Sequence, residues 1–171
     1  EVKSELDLSF AKIERTILDA IAASDDRVVI HQALQHLVVG GNALIFMSKQ
    51  GLKLFPLNRF VIERDGNGQV IEIVTRERIA KSLVDKVIPP EEEPPLVTSE
   101  LPADKNEVDV YTHVTRDNNR FIWHQEVYGK IIPGSNSKAP VDTTPWLPLR
   151  FNTVDGEAYG RGRVGQFIGD L

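Results

Sequence analysis

The chain has 171 residues, of which 41% are hydrophobic and 26% are charged, and these values are ordinary for one globular domain. Its net charge of -5 excludes a strongly basic nucleic-acid surface at the level of the whole chain. Cysteine is absent, which excludes a disulfide framework and a thiolate zinc site. No apolar run approaches the roughly 18–20 residues of a membrane span, so we expect no membrane contact.

Two amphipathic helices are predicted at the start of the chain. In the first, apolar residues recur at helical spacing up to Ser24-Asp25-Asp26, where the helix should end. The second should end at Gly40-Gly41, because glycine is typical of a helix C-terminus. The apolar faces are Leu6, Phe10, Ile13, Ile17 and Ile21 in the first helix, and Ile30, Ala33, Leu34, Leu37 and Val38 in the second. We expect both faces to cover a sheet.

Two antiparallel hairpins are predicted directly after these helices. The apolar run 42–47 pairs with residues 52–56 across a four-residue polar turn. In the second hairpin, residues 59–64 pair with residues 69–75 through Asp65-Gly66-Asn67-Gly68. Glycine and Asn or Asp supply the positive φ that such tight loops need. Nothing in these hairpins is arranged for chemistry, so they are interpreted as a scaffold.

The middle of the chain changes character sharply. Apolar residues at helical spacing predict a short helix over residues 77–86. Residues 88–106 then form a proline-rich acidic segment without an apolar period, for which we expect an extended surface excursion. A solvated connector is the preferred interpretation of this excursion. The alternative interpretation is an acidic recognition motif, which would make the chain a binding module.

A third hairpin is predicted from residues 108–114 and 121–128, with a turn at Asp117-Asn118-Asn119. After a polar loop, the apolar residues 146–151 contain prolines, which predict an edge or buried extended segment with Trp146 as its packing anchor. Residues 152–163 are glycine-rich and carry both charges, and residues 164–171 should begin a helix.

The four histidines are not expected to hold a metal ion. His31 and His36 are five residues apart on the second helix, so they project from different sides of it. His113 and His124 face one another across the third hairpin if the register permits. Because we find no third ligand for this pair, cross-strand packing is the preferred interpretation, and no metal site is predicted.

One motif points towards nucleotide chemistry. Residues 160–165 satisfy G-x-G-x-x-G, the pattern that brings a helix N-terminus to a pyrophosphate in dinucleotide-binding folds. In those folds the motif follows directly on a buried parallel strand, whereas here it follows a loop and hairpins. A nucleotide-binding enzyme domain that uses Gly160 to Gly165 is therefore only the alternative. We predict no catalytic residue and no cofactor.

Three segments together resemble one protein family. They are LVVGGNALIFM at residues 37–47, LKLFPLNRFVIERDGNGQVIEIVTRE at residues 52–77 and WLPLRFNTVDGEAYGRGRVGQFIGDL at residues 146–171. In this order they are similar to the head-to-tail connector, or portal, proteins of short-tailed bacteriophages. The likeness covers nearly the whole chain, but residues 88–106 match no pattern of the family.

The resemblance implies a structural subunit of a homo-oligomeric ring of about twelve copies at one vertex of the capsid. DNA would pass through its channel during packaging and ejection. The major capsid protein, the terminase motor and tail adaptor proteins would be the other partners, the last two through parts outside this fragment. The family has no active site, because the motor hydrolyses ATP. The resemblance further implies a virion location after assembly in the host cytoplasm, and a fragment of the wing region with stem and clip beyond Leu171.

These patterns predict an α+β fold, in which N-terminal amphipathic helices pack on antiparallel β-hairpins. Residues 1–87 would hold the helices and two hairpins, and residues 88–106 the excursion. Residues 107–171 would hold the third hairpin, the extended segment and the start of a helix. We expect all three parts to belong to one portal wing domain.

Five residues near the C-terminal glycines are candidate contacts with neighbouring subunits or with DNA. They are Arg150, Glu157, Tyr159, Arg161 and Arg163. Charged and aromatic side chains on a loop shaped by glycine can reach a neighbouring subunit or a phosphate. Pairing of the arginines with Asp155 or Glu157 inside the chain is an equally open alternative.

Overall fold

The computed structural model describes residues 2–84 and 106–168 of the chain. These residues form an α+β fold with antiparallel strand pairing, which confirms the predicted class. The helices are α1 (Val2–Ala23), α2 (Asp26–Gly40), α3 (Lys81–Val84) and α4 (Arg163–Ile168). The strands are β1 (Asn42–Ser48), β2 (Gly51–Pro56), β3 (Phe60–Arg64), β4 (Val70–Ala80), β5 (Glu107–Asp117), β6 (Arg120–Val127), β7 (Lys130–Ile131), β8 (Ser137–Pro140) and β9 (Trp146–Arg150). Among the described helices, none is both long and apolar enough to cross a lipid bilayer.

Helix α2 is tied to the first hairpin at both of its ends. Its C-terminus is capped by Gly41, which has a φ of 75° and donates its backbone N–H to Leu37 O at 2.9 Å. Glycine adopts this left-handed conformation without strain, so the helix ends where the sequence predicts. In the first turn of the helix, the Asp26 carboxylate accepts the backbone N–H of Leu52 at 2.8 Å.

A three-stranded sheet has the order β2-β1-β9, and its β1-β2 hairpin is the first one predicted. The central strand is the most deeply buried, with Ala43 and Leu44 fully enclosed. Helix α2 covers this sheet through Ala33, which packs with Ala43 and Ile45. The extended apolar segment forms edge strand β9, where Pro148 lies opposite Leu44 and is tolerated because an edge strand has a free side.

A larger sheet has the order β3-β4-β5-β6-β7, and β8 also pairs with β6. It contains the second and third predicted hairpins. Asn118 adopts a φ of 52° in the turn between β5 and β6, a conformation that Asn tolerates better than most residues. Val110, Thr112 and Val114 point to the buried face of this sheet, while Tyr111 and His113 between them are more exposed, as expected for a sheet with one face towards solvent.

The main core lies where the two sheets meet. Trp146 of β9 is 4% exposed, and its ring centroid lies 4.3 Å from that of Phe46, 6.1 Å from that of Phe55 and 6.2 Å from that of Trp123. The prediction that Trp146 anchors the packing is therefore confirmed. The buried members of the cluster are Leu44, Phe55, Phe60, Ile62, Ile73, Val114, Phe121 and Trp146.

The helix predicted for residues 77–86 is largely wrong. Strand β4 continues to Ala80, and only Lys81–Val84 are helical. Pairing with β5 explains the difference, because Glu77 lies opposite Val110 and Ile79 opposite Val108. The helix prediction rested on the spacing of only four apolar residues, and the backbone bonds between β4 and β5 outweigh that weak local preference. Residues 85–105, and with them almost all of the predicted excursion 88–106, lie outside the described residues.

The expectation that both N-terminal helices cover one sheet is also wrong. The hairpins belong to two sheets, and of the two helices it is α2 that packs on β1 and β2. The predicted apolar face of α1 is exposed within the described part of the chain: Phe10 is 64% exposed and Ile13 is 55% exposed. Helical spacing identifies an apolar face but not the surface that covers it.

Candidate functional site

The glycine-rich segment crosses the end of helix α2 at very short range. We call the contact between Gly41, Gly160 and Gly162 the glycine crossing. A Cβ atom on Gly162 would lie 2.2 Å from Val39 O, one on Gly160 would lie 2.7 Å from Gly41 O, and one on Gly41 would lie 2.3 Å from Gly162 N. These distances are too short for any side chain. Glycine is therefore required on both sides of the crossing.

The side chain of Asn42 closes the glycine crossing. Its amide group donates to Gly160 O at 2.7 Å, and its carbonyl oxygen accepts the backbone N–H of Gly160 at the same distance. The amide also donates to Gly40 O at 3.0 Å. Asn42 is 4% exposed, so these bonds are shielded from competing water. Asn42 was predicted to lie in a strand and was given no role. Its position as a polar residue at the start of an apolar run was the sequence signal for a buried hydrogen-bonding side chain.

The crossing accounts for the first two glycines of the G-x-G-x-x-G pattern. Gly160 and Gly162 are buried against α2, so their backbone is not available to a pyrophosphate. The strand before the segment, β9, is antiparallel to β1, unlike the parallel strand of a dinucleotide-binding unit. The described residues therefore give no support to the nucleotide-binding alternative.

Arg64 fixes the other side of the glycine-rich segment. Its guanidinium donates to Ala158 O at 3.0 Å, to Gly68 O at 2.9 Å and to Pro148 O at 3.4 Å. Burial lowers the pKa of Arg64, and the nearby positive charge of Arg150 lowers it further. One side chain thus joins the β3-β4 turn, β9 and the segment. Arg64 was not among the candidate residues, although it stands at the start of the RDG turn in the second family segment.

Two of the candidate contact residues, Tyr159 and Arg150, make part-buried bonds inside the chain. The hydroxyl of Tyr159 accepts the backbone N–H of Ile62 at 3.0 Å, and its ring packs on the main core. Arg150 donates from its guanidinium to Glu157 O at 3.0 Å. Arg150 and Arg64 line a cleft of about 400 Å³ beside the segment. These contacts hold the shape of the loop.

The other three candidates lie at the surface. The Arg161 guanidinium bonds both carboxylate oxygens of Glu157, at 2.5 Å and 3.2 Å. This hydrogen bond lowers the pKa of the Glu157 carboxyl and raises the pKa of Arg161. Of the two open alternatives for this arginine, intrachain pairing with Glu157 is thus observed, and it leaves both side chains accessible. Arg163 is exposed in the first turn of α4.

Comparison with known proteins identifies the family. The model of the family described as "Bacteriophage head to tail connecting protein" matches residues 1–171. The chain belongs to this head to tail connecting protein family. Curated proteins named "Portal protein" are similar to this connector chain. The one from Escherichia phage T7 is 32% identical over 176 residues, which are 98% of this chain and 32% of that protein. The one from Enterobacteria phage T3 is 34% identical over 177 residues, with the same coverage.

A more distant relative, the portal protein of Enterobacteria phage SP6, is 28% identical over 170 residues, or 99% of this chain and 33% of that protein. The connector chain therefore spans about a third of the length of the curated relatives it matches. The resemblance to portal proteins of short-tailed phages, stated from the sequence, is confirmed.

The predicted histidine pair of the connector chain is also in place. His113 lies directly opposite His124 across β5 and β6, and their ring centroids are 5.4 Å apart. The expectation that no third ligand is near them is wrong, because Glu126 lies beside both. The signal for Glu126 in the sequence is its position two residues after His124, which places both side chains on the same face of the strand.

Proposed function

We propose that the chain is part of a subunit of the phage portal ring, and that its role there is structural. The ring would form the conduit for DNA packaging and ejection at the junction of head and tail. The observation that carries this proposal is the match of residues 1–171 to the connector family. The glycine crossing agrees with a structural role, because it uses the glycine motif to join backbone segments.

A ring of about twelve identical copies needs surfaces that bind a neighbour on both sides. Helix α1 offers one such surface, since Phe10 is 64% exposed and Ile13 is 55% exposed on its apolar face. Large apolar side chains on one helix seldom stay exposed in the assembled state. We assign the apolar side of α1 to contact with a neighbouring copy in the ring.

The surface end of the glycine-rich segment is the second proposed contact. Glu157, Arg161 and Arg163 are the accessible candidates for a neighbouring subunit or a DNA phosphate. Arg150 and Tyr159 act in this proposal by holding the loop in shape. The major capsid protein would bind the outside of the ring. The terminase and tail adaptor proteins would bind through parts outside this chain, in a virion assembled in the host cytoplasm.

Electron microscopy of the whole purified protein tests the ring. The expected result is closed rings with a central hole, and particles of single subunits under the same conditions would contradict the proposal. Three variants test the charged contact: Arg161→Glu, the charge swap Glu157→Arg with Arg161→Glu, and the control Arg120→Glu at an exposed residue of strand β6.

The charge swap keeps an ion pair inside the loop but reverses the charge offered at each position. If Arg161 contacts a neighbour or DNA, both Arg161→Glu and the swap reduce ring assembly or DNA packaging, while Arg120→Glu does not. Assembly and packaging at the wild-type level in the swap variant would show that Arg161 acts only within its own chain.

A further inference from the structure

Three side chains capable of binding a metal ion meet on the wetter face of the larger sheet. His113 of β5 and His124 of β6 are directly opposite in the strand register. Glu126 lies two residues beyond His124, and alternate residues of a strand point to the same face. The antiparallel pairing itself therefore brings two imidazoles and one carboxylate together.

Their geometry suits a shared ion. One nitrogen of each histidine and one Glu126 oxygen all lie within 4.8 Å of one another. The imidazole rings are nearly perpendicular, at 78°, so they can direct nitrogens to a common point from different sides. His113 is 36% exposed, His124 is 24% exposed and Glu126 is 37% exposed, which gives an ion a path from solvent.

We propose that His113, His124 and Glu126 form a binding site for a divalent transition-metal ion of the zinc class. Two imidazoles and one carboxylate are a common protein ligand set for Zn²⁺, with a fourth position for water or another group. Mg²⁺ and Ca²⁺ prefer oxygen ligands, so this set selects against them. The site is distinct from the glycine crossing, which lies beside the other sheet.

Polar neighbours support the three ligands. The Glu72 carboxylate on β4 lies 2.5 Å from His113 Nε2, and Thr115 Oγ1 lies 3.2 Å from the same nitrogen. Glu72 adds negative charge close to the cation, and carboxylates that bond a metal-binding histidine orient it and raise its basicity. Glu72 is an accessory carboxylate in this proposal. His124 Nε2 and Glu126 Oε1 lie 2.7 Å apart and bond each other, and in this proposal the ion takes the place of that bond.

The chain provides a matched control, because its other two histidines lie elsewhere. His31 and His36 are both exposed on helix α2, where their five-residue spacing places them on different sides. The variant His113→Ala/His124→Ala and the control His31→Ala/His36→Ala each remove two imidazoles. A difference between them in zinc binding therefore reports the position of the histidines and not their number.

The test is calorimetric titration of Zn²⁺ into the whole protein, purified without a histidine tag and stripped of metal. The wild type and the His31→Ala/His36→Ala control are expected to bind one more equivalent per chain than His113→Ala/His124→Ala. Thermal unfolding should shift upward with Zn²⁺ in the first two proteins, and Mg²⁺ at the same concentration should not cause the shift.

Two milder variants keep the proposal falsifiable if the double alanine variant is unstable. Glu126→Gln preserves size and should weaken zinc binding, while Glu72→Gln should weaken it by roughly 10-fold or more, as is typical for accessory carboxylates. Equal zinc stoichiometry and affinity in the wild type and in Glu126→Gln would overturn the site. Equal stabilisation by Mg²⁺ and Zn²⁺ would overturn the assignment to the zinc class.

Discussion

Asn42 and Gly160 are 118 residues apart in the chain, yet the side chain of the first bonds both backbone polar groups of the second, each at 2.7 Å. This pairing joins the start of β1 to the glycine-rich segment near the C-terminus. Because Gly41 and Gly162 have no side chains, the backbone at the end of α2 and the backbone of the glycine-rich segment come close enough for the Asn42 amide to bond across them. The long-range shape of the chain thus depends on a few small residues.

Replacing Asn42 should destabilise the fold. Asn42→Ala leaves the buried N–H and C=O of Gly160 without their partner, and the expected loss is roughly 2–4 kcal/mol in the free energy of unfolding. Urea denaturation of the whole protein measures it. Asn67→Ala, on the exposed β3-β4 turn, is the control and should change stability by less than about 0.5 kcal/mol. Equal stabilities for the two variants would contradict the role given to Asn42.

The glycines of the G-x-G-x-x-G pattern should respond to alanine in opposite directions. Gly162→Ala places a methyl group 2.2 Å from Val39 O, so we expect a loss of roughly 3 kcal/mol, the upper end of overpacking costs. Gly165 is exposed in α4, and among the described residues a methyl group added to it would meet no atom outside the nearby helix backbone within 4 Å. Gly165→Ala should therefore stabilise by up to about 1 kcal/mol through helix propensity.

Denaturant midpoints of the two glycine variants provide the measurement. A thermal-shift experiment with NAD and ATP tests the nucleotide-binding alternative. If that site existed, nucleotide would raise the melting temperature of the wild type but not of either variant. Equal destabilisation by the two substitutions would contradict the crossing as the reason for these glycines.

The Glu157–Arg161 pair should be visible in the titration of the carboxylate. Its hydrogen bond to Arg161 holds the pKa of Glu157 below the ordinary value of 4.5, so Arg161→Gln should raise this pKa towards that value. A group whose pKa falls on folding stabilises the fold above its unfolded pKa. That contribution is lost as the pH falls through the lower, folded pKa. Both side chains are exposed, so the effect on global stability should be small.

Nuclear magnetic resonance of the Glu157 side chain over an acid pH series measures this pKa directly. Arg120→Gln removes a distant exposed arginine and should leave the Glu157 titration unchanged. A wild-type midpoint at the ordinary value, with no response to Arg161→Gln, would mean that the ion pair does not form in solution.

Local patterns predicted those parts of the fold that depend on neighbouring residues. The Gly40-Gly41 pair ends α2 as expected, since only glycine adopts φ of 75° freely. The Asp65-Gly66-Asn67-Gly68 turn closes the β3-β4 hairpin, where the Asp65 carboxylate accepts backbone N–H groups within the same turn. Such features need no distant partner. The apolar run of β1 also predicts a core strand by its composition alone, and Ala43, Leu44 and Ile45 are buried.

The errors have a different physical origin. The helix prediction fails at residues 77–80 because these residues form their backbone bonds with β5, which lies much further along the chain. The expectation that a sheet covers the apolar face of α1 fails because helical spacing identifies the face but not the surface that covers it. Glu126 shares a face with His124 by strand alternation, but only the register of β5 against β6 brings His113 beside them.

The sequence by itself determined the α+β class, the three hairpins, the anchoring tryptophan and, through three segments read together, the connector family. Each of these rests on residues close in sequence or on a pattern read along it. The tertiary structure decided that the glycine motif is a backbone crossing, that Asn42 and Arg64 secure it, and that His113, His124 and Glu126 converge. These features join residues far apart in the chain or depend on strand register, and only the folded backbone brings their atoms within bonding distance.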